Sequence, residues 1–143
     1  MKKIFFFNAD KKILIKHKNA SVHLICVLFK AEEVSIERIN YIFCSDRYLL
    51  KINEKYLKHI TLTDVITFAL SKSGEPVFAE IYISIDRIKE NAKTYKVKYQ
   101  NELLRVMLHG ALHLCGYKDK TKSDKQKMRA KEDYYLSQFQ SFT

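Results

Sequence analysis

The chain is poor in residues that break, cross-link or stiffen a polypeptide. Its 143 residues include no tryptophan, one proline and three glycines, so each glycine is expected to serve a definite local purpose. The three cysteines, Cys26, Cys44 and Cys115, are odd in number, widely spaced and without a CxxC pair. This pattern fits a reducing compartment better than a disulfide framework. Their apolar neighbours predict buried thiols.

Long apolar runs are also missing. The first residues imitate a signal peptide, but the apolar run covers only Ile4 to Phe7 before Asn8 and Asp10 interrupt it. Such a run is far too short for a secretory core. No other stretch reaches the length of a transmembrane helix. We therefore expect a soluble, cytoplasmic protein without a membrane partner.

Acidic residues are few relative to basic ones. There are 26 Lys and Arg against 16 Asp and Glu, which gives a formal net charge of +10. An excess of this size favours a polyanionic partner, either nucleic acid or an acidic membrane surface. The alternative is a lysine-rich composition that only aids solubility. The densest basic run comprises Lys118, Lys120, Lys122, Lys125, Lys127, Arg129 and Lys131.

The order of the predicted elements indicates one α+β domain, a small mixed β-sheet with helices packed on it. Ser45 is placed to cap a helix, as are Asn19 or Ser21 and Ser84 or Asp86. The strands around 61–70 and 77–85 are expected to form an antiparallel hairpin. Strands are predicted at 4–7, 13–17, 36–43, 61–70 and 77–85, and helices at 21–33, 45–57, 87–95, 100–115 and 123–139.

The segment HGALHLCGYKD, residues 109–119, carries the strongest chemical signal. His109 and His113 are four residues apart on a predicted helix, so their side chains lie on one flank about one turn apart. Gly116 is suited to the left-handed position that ends a helix. The chain then turns back, and Asp119 can return to the same flank. Two imidazoles and a carboxylate in this arrangement predict a metal site on a zincin-like helix.

Two other interpretations of this segment stay open. A pair of histidines at this spacing is common on helices and often means one packed and one exposed side chain. The spacing resembles that of the metzincin peptidases, but Gly110 stands where those enzymes carry the glutamate that serves as general base. Cys115 lies on another face of the helix and is expected in the core.

The same segment is similar to a signature of the YbeY family of bacterial metallo-endoribonucleases, H-G-x-L-H-L-x-G-Y-D-H. Further matches follow the family in order and spacing, over roughly residues 45–135. Asn53, Tyr56 and TDVITF at 63–68 precede the histidines, and AEI at 79–81 stands where the family has G-D-I. Met128 and Glu132 match the Met and Glu that follow the histidines.

The resemblance implies a Zn²⁺ ion, one per chain, with His109 and His113 as two of its ligands. The third family ligand is a histidine, and Asp119 occupies that position here. A carboxylate is a legitimate zinc ligand, but its negative charge should make the metal a weaker Lewis acid. Asp64 heads the predicted central strand and either orients a ligand histidine or caps the strand.

The family also carries an arginine at the position of Leu57, which cannot bind phosphate as an arginine does. Lys58, His59 and Arg105 are the candidates for this catalytic role. The alternative is that these three side chains only contact solvent or a helix end.

The implied function is that of a zinc-dependent, single-strand-specific endoribonuclease formed by residues 1–143 as one domain. The resemblance implies maturation of the 3′ end of 16S rRNA and late quality control of the ribosome, with rRNA and the small ribosomal subunit as partners. Two alternatives remain. One is a non-catalytic, rRNA-binding assembly factor with a structural zinc, and the other is a metallopeptidase, which Gly110 disfavours.

Overall fold

The central element is a four-stranded mixed sheet. A computed structural model of the protein describes residues 2–57 and 63–142, and this part of the chain forms strands β1 (Ile4–Asn8), β2 (Ile36–Cys44), β3 (Val65–Ala69) and β4 (Val77–Ser84). Their order across the sheet is β1-β2-β4-β3. β2 pairs in parallel with β1 and β4, whereas β3 pairs antiparallel with β4. The predicted hairpin and the mixed α+β fold are therefore confirmed.

Five helices accompany this sheet in the described ranges. They are α1 (Lys18–Ala31), α2 (Asp46–Ile52), α3 (Ile85–Tyr95), α4 (Tyr99–Leu114) and α5 (Lys122–Phe142), and α2 continues as a short π-helical turn at Asn53–Leu57. Ser45 and Ser84 cap α2 and α3 as predicted, because each hydroxyl accepts a backbone N–H three residues later. No helix in the described part of the chain combines the length and the apolar character that crossing a membrane requires.

Three sequence-based expectations about the first third of the chain are wrong: the strand at 13–17, the cap by Asn19 or Ser21, and the buried thiol of Cys26. Residues 13–17 form no strand, because β1 pairs in parallel with β2 and the chain must cross back through α1 before pairing. α1 follows His17 at φ 55, without a side-chain cap from Asn19 or Ser21. Cys26 is exposed, whereas Cys44 is buried and Cys115 is half-buried against the core.

The core lies between the sheet and α4, which is the most deeply buried helix. Nine of its residues are buried, among them Leu108, Ala111 and Leu112. Gly110 marks the closest approach, since a Cβ built there would lie 2.9 Å from Cγ2 of Ile81 and 3.2 Å from Oγ1 of Thr67. α4 can rest this close to β3 and β4 only because residue 110 has no side chain.

We expect Gly110→Ala to lower the free energy of unfolding by about 1–2 kcal/mol. Overpacking costs about 1–3 kcal/mol, and the higher helix propensity of alanine returns at most about 1 kcal/mol. Urea denaturation of the variant measures the difference. In an Ile81→Ala background, which removes the clashing methyl groups, the same change should be neutral or stabilising. An equal cost in both backgrounds would show that this contact does not limit the approach of α4.

Candidate metal centre

The last two turns of α4 bring the two predicted histidine ligands together. His109 and His113 are one turn apart, and their rings meet edge to face with centroids 4.6 Å apart. Their Nε2 atoms face each other at 3.1 Å. Both side chains are about three-quarters buried, with 22% and 28% of their surface exposed. The helical spacing thus yields a compact pair of nitrogen atoms at the surface of the helix.

The turn after α4 brings Asp119 to the same point. Gly116 has φ +100 and donates its N–H to the carbonyl of His113, while Tyr117 N–H bonds to Leu112 O. These bonds close the helix end in the manner of a glycine C-cap. The chain reverses, and Oδ2 of Asp119 lies 3.3 Å from the Nε2 atoms of both histidines. The three predicted ligands therefore converge.

The hydrogen bonds of the two imidazoles leave their Nε2 atoms facing inward. Nδ1 of His113 lies 2.9 Å from the carbonyl oxygen of Tyr117, and Nδ1 of His109 lies 2.7 Å from a carboxylate oxygen of Glu132. Both partners are acceptors, so each Nδ1 carries the proton and each neutral ring presents a lone pair at Nε2. With the Asp119 carboxylate, three acceptors then face one another, and this arrangement requires a cation or a proton between them.

The dimensions of the triangle fit a metal ion. A tetrahedral ion with bonds of about 2.0–2.2 Å places its ligand atoms about 3.3–3.6 Å apart. The three edges here are 3.1, 3.3 and 3.3 Å. Within 2–57 and 63–142, His109, His113 and Asp119 are the one group of His, Cys, Asp or Glu side chains close enough to hold a metal. Cys115 does not belong to it, in agreement with the sequence.

Glu132 on α5 supports the site from behind. Its carboxylate is buried, with 5% of the residue exposed, and it binds His109 through one oxygen and Arg105 through the other. Burial by itself would lower the pKa of His109, but the hydrogen bond and charge of Glu132 raise it above its usual value. A proton therefore competes with a metal ion for the Nε2 atom of His109.

Arg105, a predicted catalytic cation, is engaged by carboxylates at both ends. Its Nη1 donates to Glu132 at 2.9 Å and its Nη2 donates to Asp133 at 2.6 Å. Through Glu132 the guanidinium holds the carboxylate that fixes the ring of His109. These contacts make Arg105 a support of the ligand set, while a direct role on substrate stays a prediction.

The ligands open onto a cleft of about 700 Å³. Leu57 and Thr63 are among its walls, and the candidates Lys58 and His59, which fall between them in the sequence, lie outside the described residues. The full wall comprises Asn53, Leu57, Thr63, Asp64, Val65, Ile66, Thr67, Ala69, His109, His113, Leu114, Asp119 and Lys120.

Asp64 lies in this wall with its carboxylate largely buried. Burial raises its pKa, and a positive charge on His109, present only when that ring is protonated, would partly offset the rise. Its Oδ2 accepts a hydrogen bond of 3.4 Å from Asn91. Glu132, and not Asp64, accepts the proton of Nδ1 in His109, so the orienting role considered for Asp64 belongs to a residue 68 positions further along the chain.

The sequence pattern did not assign Glu132 or the Tyr117 carbonyl to the site. Glu132 stands 23 residues after His109, on another helix, so no local spacing connects them. The only signal was the glutamate that follows the histidines in the family pattern. The carbonyl of Tyr117 is a backbone group, and residue type carries no information about it.

Together, the mixed sheet, the metal-ligand helix and the ligand after its glycine end define a zincin-like α+β protein with a candidate metal centre. Residues 6–140 match the family model described as Endoribonuclease YbeY. The chain therefore belongs to the YbeY family of hydrolytic nucleases. The resemblance seen over residues 45–135 is confirmed, and the match extends to nearly the whole chain.

Individual relatives agree with this assignment. The Endoribonuclease YbeY of Flavobacterium psychrophilum is 47% identical over 93% of this chain and 94% of the relative. That of Cytophaga hutchinsonii is 46% identical over 94% of both chains. The solution structure of TM1509 from Thermotoga maritima superposes with a TM-score of 0.63 at 26% identity, covering 95% of this chain and 88% of that one.

We expect Glu132→Gln to weaken metal binding by about 10- to 100-fold, the usual effect of losing a partner behind a ligand histidine. Gln has one acceptor oxygen for two donors, His109 and Arg105, and its amide would face one of them with a donor. Zn²⁺ titration against a chromophoric chelator measures the affinity. Asp133→Asn is the matched control, because it removes an Arg105 partner without touching His109. Equal losses in both variants would show that Glu132 acts only through general charge.

Proposed function

We propose that residues 1–143 act as a single YbeY-type domain that cleaves single-stranded RNA with the help of one zinc ion. The observation that carries this proposal is the triangle of His109, His113 and Asp119 at the edge of a solvent-open cleft. Three protein ligands, with no fourth among the described side chains, match the donor set of a catalytic zinc site with a free coordination position. Two imidazoles and one carboxylate suit zinc better than magnesium or calcium, which favour oxygen.

Zinc in such a site supplies a Lewis acid and lowers the pKa of water. The protein's own residues hold and orient the reacting groups. Glu132 and the Tyr117 carbonyl fix the two imidazoles, so the ligands need no rearrangement when the ion binds. Asp64, beside the ligands with a raised pKa, is positioned to exchange a proton in the cleft.

Basic side chains flank the ligands on two sides and support an RNA substrate. Lys120 lines the main cleft. A neighbouring cavity of about 510 Å³ shares His109 and Asp119 with the site, and Lys125 and Arg129 line it. These cations belong to the basic run after the metal motif, and their position beside the ligands supports contact with the phosphates of an RNA strand.

We further propose that the substrate is rRNA, cut during maturation of the 3′ end of 16S rRNA and in late quality control of the small subunit, in the cytoplasm. Membership of the YbeY family and the net charge of +10 support this substrate class. Every relative named above is called an endoribonuclease or shares the fold.

A non-catalytic, rRNA-binding assembly factor is the second candidate, favoured by one observation. Lys120 is the one Lys or Arg among the described residues of the cleft wall, and the position of the family arginine is the apolar Leu57. Arg105 lies outside this wall and is bound by two carboxylates. A metallopeptidase is disfavoured, because Gly110 lies against the sheet and a side chain there would not face the ligands.

His113→Ala should abolish both zinc binding and RNA cleavage. A bound metal contributes several kcal/mol to transition-state stabilisation, so activity on a single-stranded oligoribonucleotide should fall at least about 100-fold. Metal content and cleavage are measured on the same preparations. His23→Ala is the matched control, because it removes an exposed histidine on α1, away from the ligands. Wild-type protein that binds zinc and RNA but does not cut would establish the assembly-factor role instead.

Asp119 is expected to tolerate histidine better than alanine. Asp119→His replaces the carboxylate with the imidazole of the family pattern and should retain zinc and cleavage. Asp119→Ala should lower zinc affinity by at least about 10-fold, since one of three ligands is lost. Comparable loss in both variants would mean that this backbone position accepts only the shorter carboxylate.

RNA affinity should fall steeply with salt. Each phosphate contact on a single strand contributes about −0.7 to the slope of log K against log salt. Lys125→Ala should therefore flatten the slope by about 0.7. Lys89→Ala, an exposed lysine on α3 outside both cavities, should leave it unchanged. A slope near zero in the wild type would contradict backbone binding by this surface.

A further inference from the structure

A further cavity lies beside the turn between α4 and Asp119. It measures about 710 Å³ and runs between the end of α1, the turn after α4 and one flank of α5. Its wall, here called the tyrosine groove, comprises Ala31, Glu32, Tyr117, Lys127, Ala130, Lys131, Tyr134 and Tyr135. None of these residues lines the metal cleft. The groove therefore needs an explanation of its own.

One flank of α5 forms the open side of this groove. Lys127, Ala130, Lys131 and Tyr134 are spaced i, i+3, i+4 and i+7, so they share one face of the helix. The adjoining face packs into the core, where Met128 is buried. Tyr134 by contrast is 54% exposed, and small Ala130 leaves room beside it. This flank of α5 therefore exposes the large aromatic ring of Tyr134 to solvent.

The floor of the groove is held by one carboxylate. Glu32 accepts hydrogen bonds of 2.7 Å from the hydroxyls of both Tyr117 and Tyr135, and Lys131 Nζ lies 3.3 Å from its Oε2. Burial alone would raise the pKa of Glu32, but these three donors outweigh it and lower the pKa. The rings of the floor are thus fixed before any ligand arrives, which reduces the entropy cost of binding.

The charge of the groove is positive at its rim. Lys131 neutralises Glu32, and exposed Lys127 adds a further cation. Lys131 Nζ also lies 5.9 Å from the ring centroid of Tyr117 and 5.8 Å from that of Tyr134, so the ammonium sits within reach of both rings. Aromatic faces beside ammonium groups are what proteins offer to the bases and phosphates of single strands.

The groove is linked to the metal site through Tyr117. The carbonyl of Tyr117 accepts the Nδ1 proton of His113, while its hydroxyl binds Glu32 in the groove. A single residue therefore has hydrogen-bond partners in both sites.

We propose that the tyrosine groove binds one nucleotide of the single-stranded RNA substrate outside the metal cleft, with its base stacked on Tyr134 and its phosphate beside Lys127. The proposal rests on the proposed function only for the class of substrate. RNA is favoured over a protein segment because the groove adjoins the basic run of a chain with net charge +10, and because its open surface is aromatic and cationic.

Tyr134→Ala should weaken binding of a single-stranded oligonucleotide by roughly 5- to 150-fold, the range for loss of one base-stacking ring. Tyr134→Phe keeps the ring and should bind as the wild type does. Phe7→Ala, which removes a 44% exposed ring on β1, is the matched control for an unrelated aromatic. Affinity is measured by fluorescence anisotropy with 2′-O-methyl RNA on the full chain. Lys127→Ala should weaken binding of base-free phosphate chains as well, with Lys89→Ala as its control.

Because the natural chain contains no tryptophan, an introduced tryptophan is a direct fluorescent probe of stacking. Tyr134→Trp introduces a single indole in the groove, and its fluorescence should be quenched by single-stranded oligonucleotide but not by inorganic polyphosphate, which has no bases. Phe7→Trp should respond to neither. Quenching by polyphosphate alone, or none by RNA, would overturn stacking at this position.

Cleavage separates this proposal from the proposed function. A substrate too short to leave the metal cleft should be cut equally by wild type and Tyr134→Ala, whereas a longer one should show a raised KM in the variant. If the wild type cuts RNA and Tyr134→Ala binds and cuts every length normally, the groove is not an RNA subsite and this proposal is overturned. If the wild type neither binds nor cuts RNA, both proposals fail.

Discussion

The candidate centre depends on which groups accept the Nδ1 protons of the two imidazoles. Because Glu132 and the Tyr117 carbonyl each accept one, both Nε2 lone pairs point at the carboxylate of Asp119. Three acceptors at 3.1–3.3 Å repel one another unless a positive charge lies among them. The fold holds the two imidazoles there with partly buried hydrogen bonds, so the ligand atoms are in position before a cation binds. The metal-binding role inferred for the chain follows from this repulsion among the three acceptor atoms.

α5 connects the parts of the molecule that share this task. Glu132 faces inward to His109, and its neighbour Lys131 faces Glu32 in the tyrosine groove. The helix therefore sets the position of a ligand histidine with Glu132 and of the tyrosine groove with Lys131. The short link through Tyr117 completes the connection from the other side. A shift of α5 would disturb both sites together, which ties substrate contact to the geometry of the ligands.

Local sequence pattern predicted what local geometry determines. The period of a helix places His109 beside His113, a glycine end returns Asp119, and β-branched and aromatic residues mark β3 and β4. Contacts made by tertiary packing could not be predicted from local sequence pattern. Glu32 meets Tyr117 and Tyr135 across 85 and 103 residues of sequence. The strand expected at 13–17 failed for the same reason, because the parallel pairing of β1 is set by a partner on the far side of α1.

The charge around the ligands explains why a carboxylate can stand as the third one. A divalent ion held by Asp119 would keep one net positive charge, and Glu132 is already balanced by Arg105. Asp64 is then the remaining acidic side chain of the described cleft wall beside the ligands, and burial raises its pKa. The loaded site would thus carry at most one net positive charge, which favours the approach of a phosphate from the cleft. A third imidazole would make the loaded site more positive and the ion a stronger Lewis acid. With the Asp119 carboxylate as the third ligand, the ion would be a weaker Lewis acid, but the negative charge would hold it more strongly.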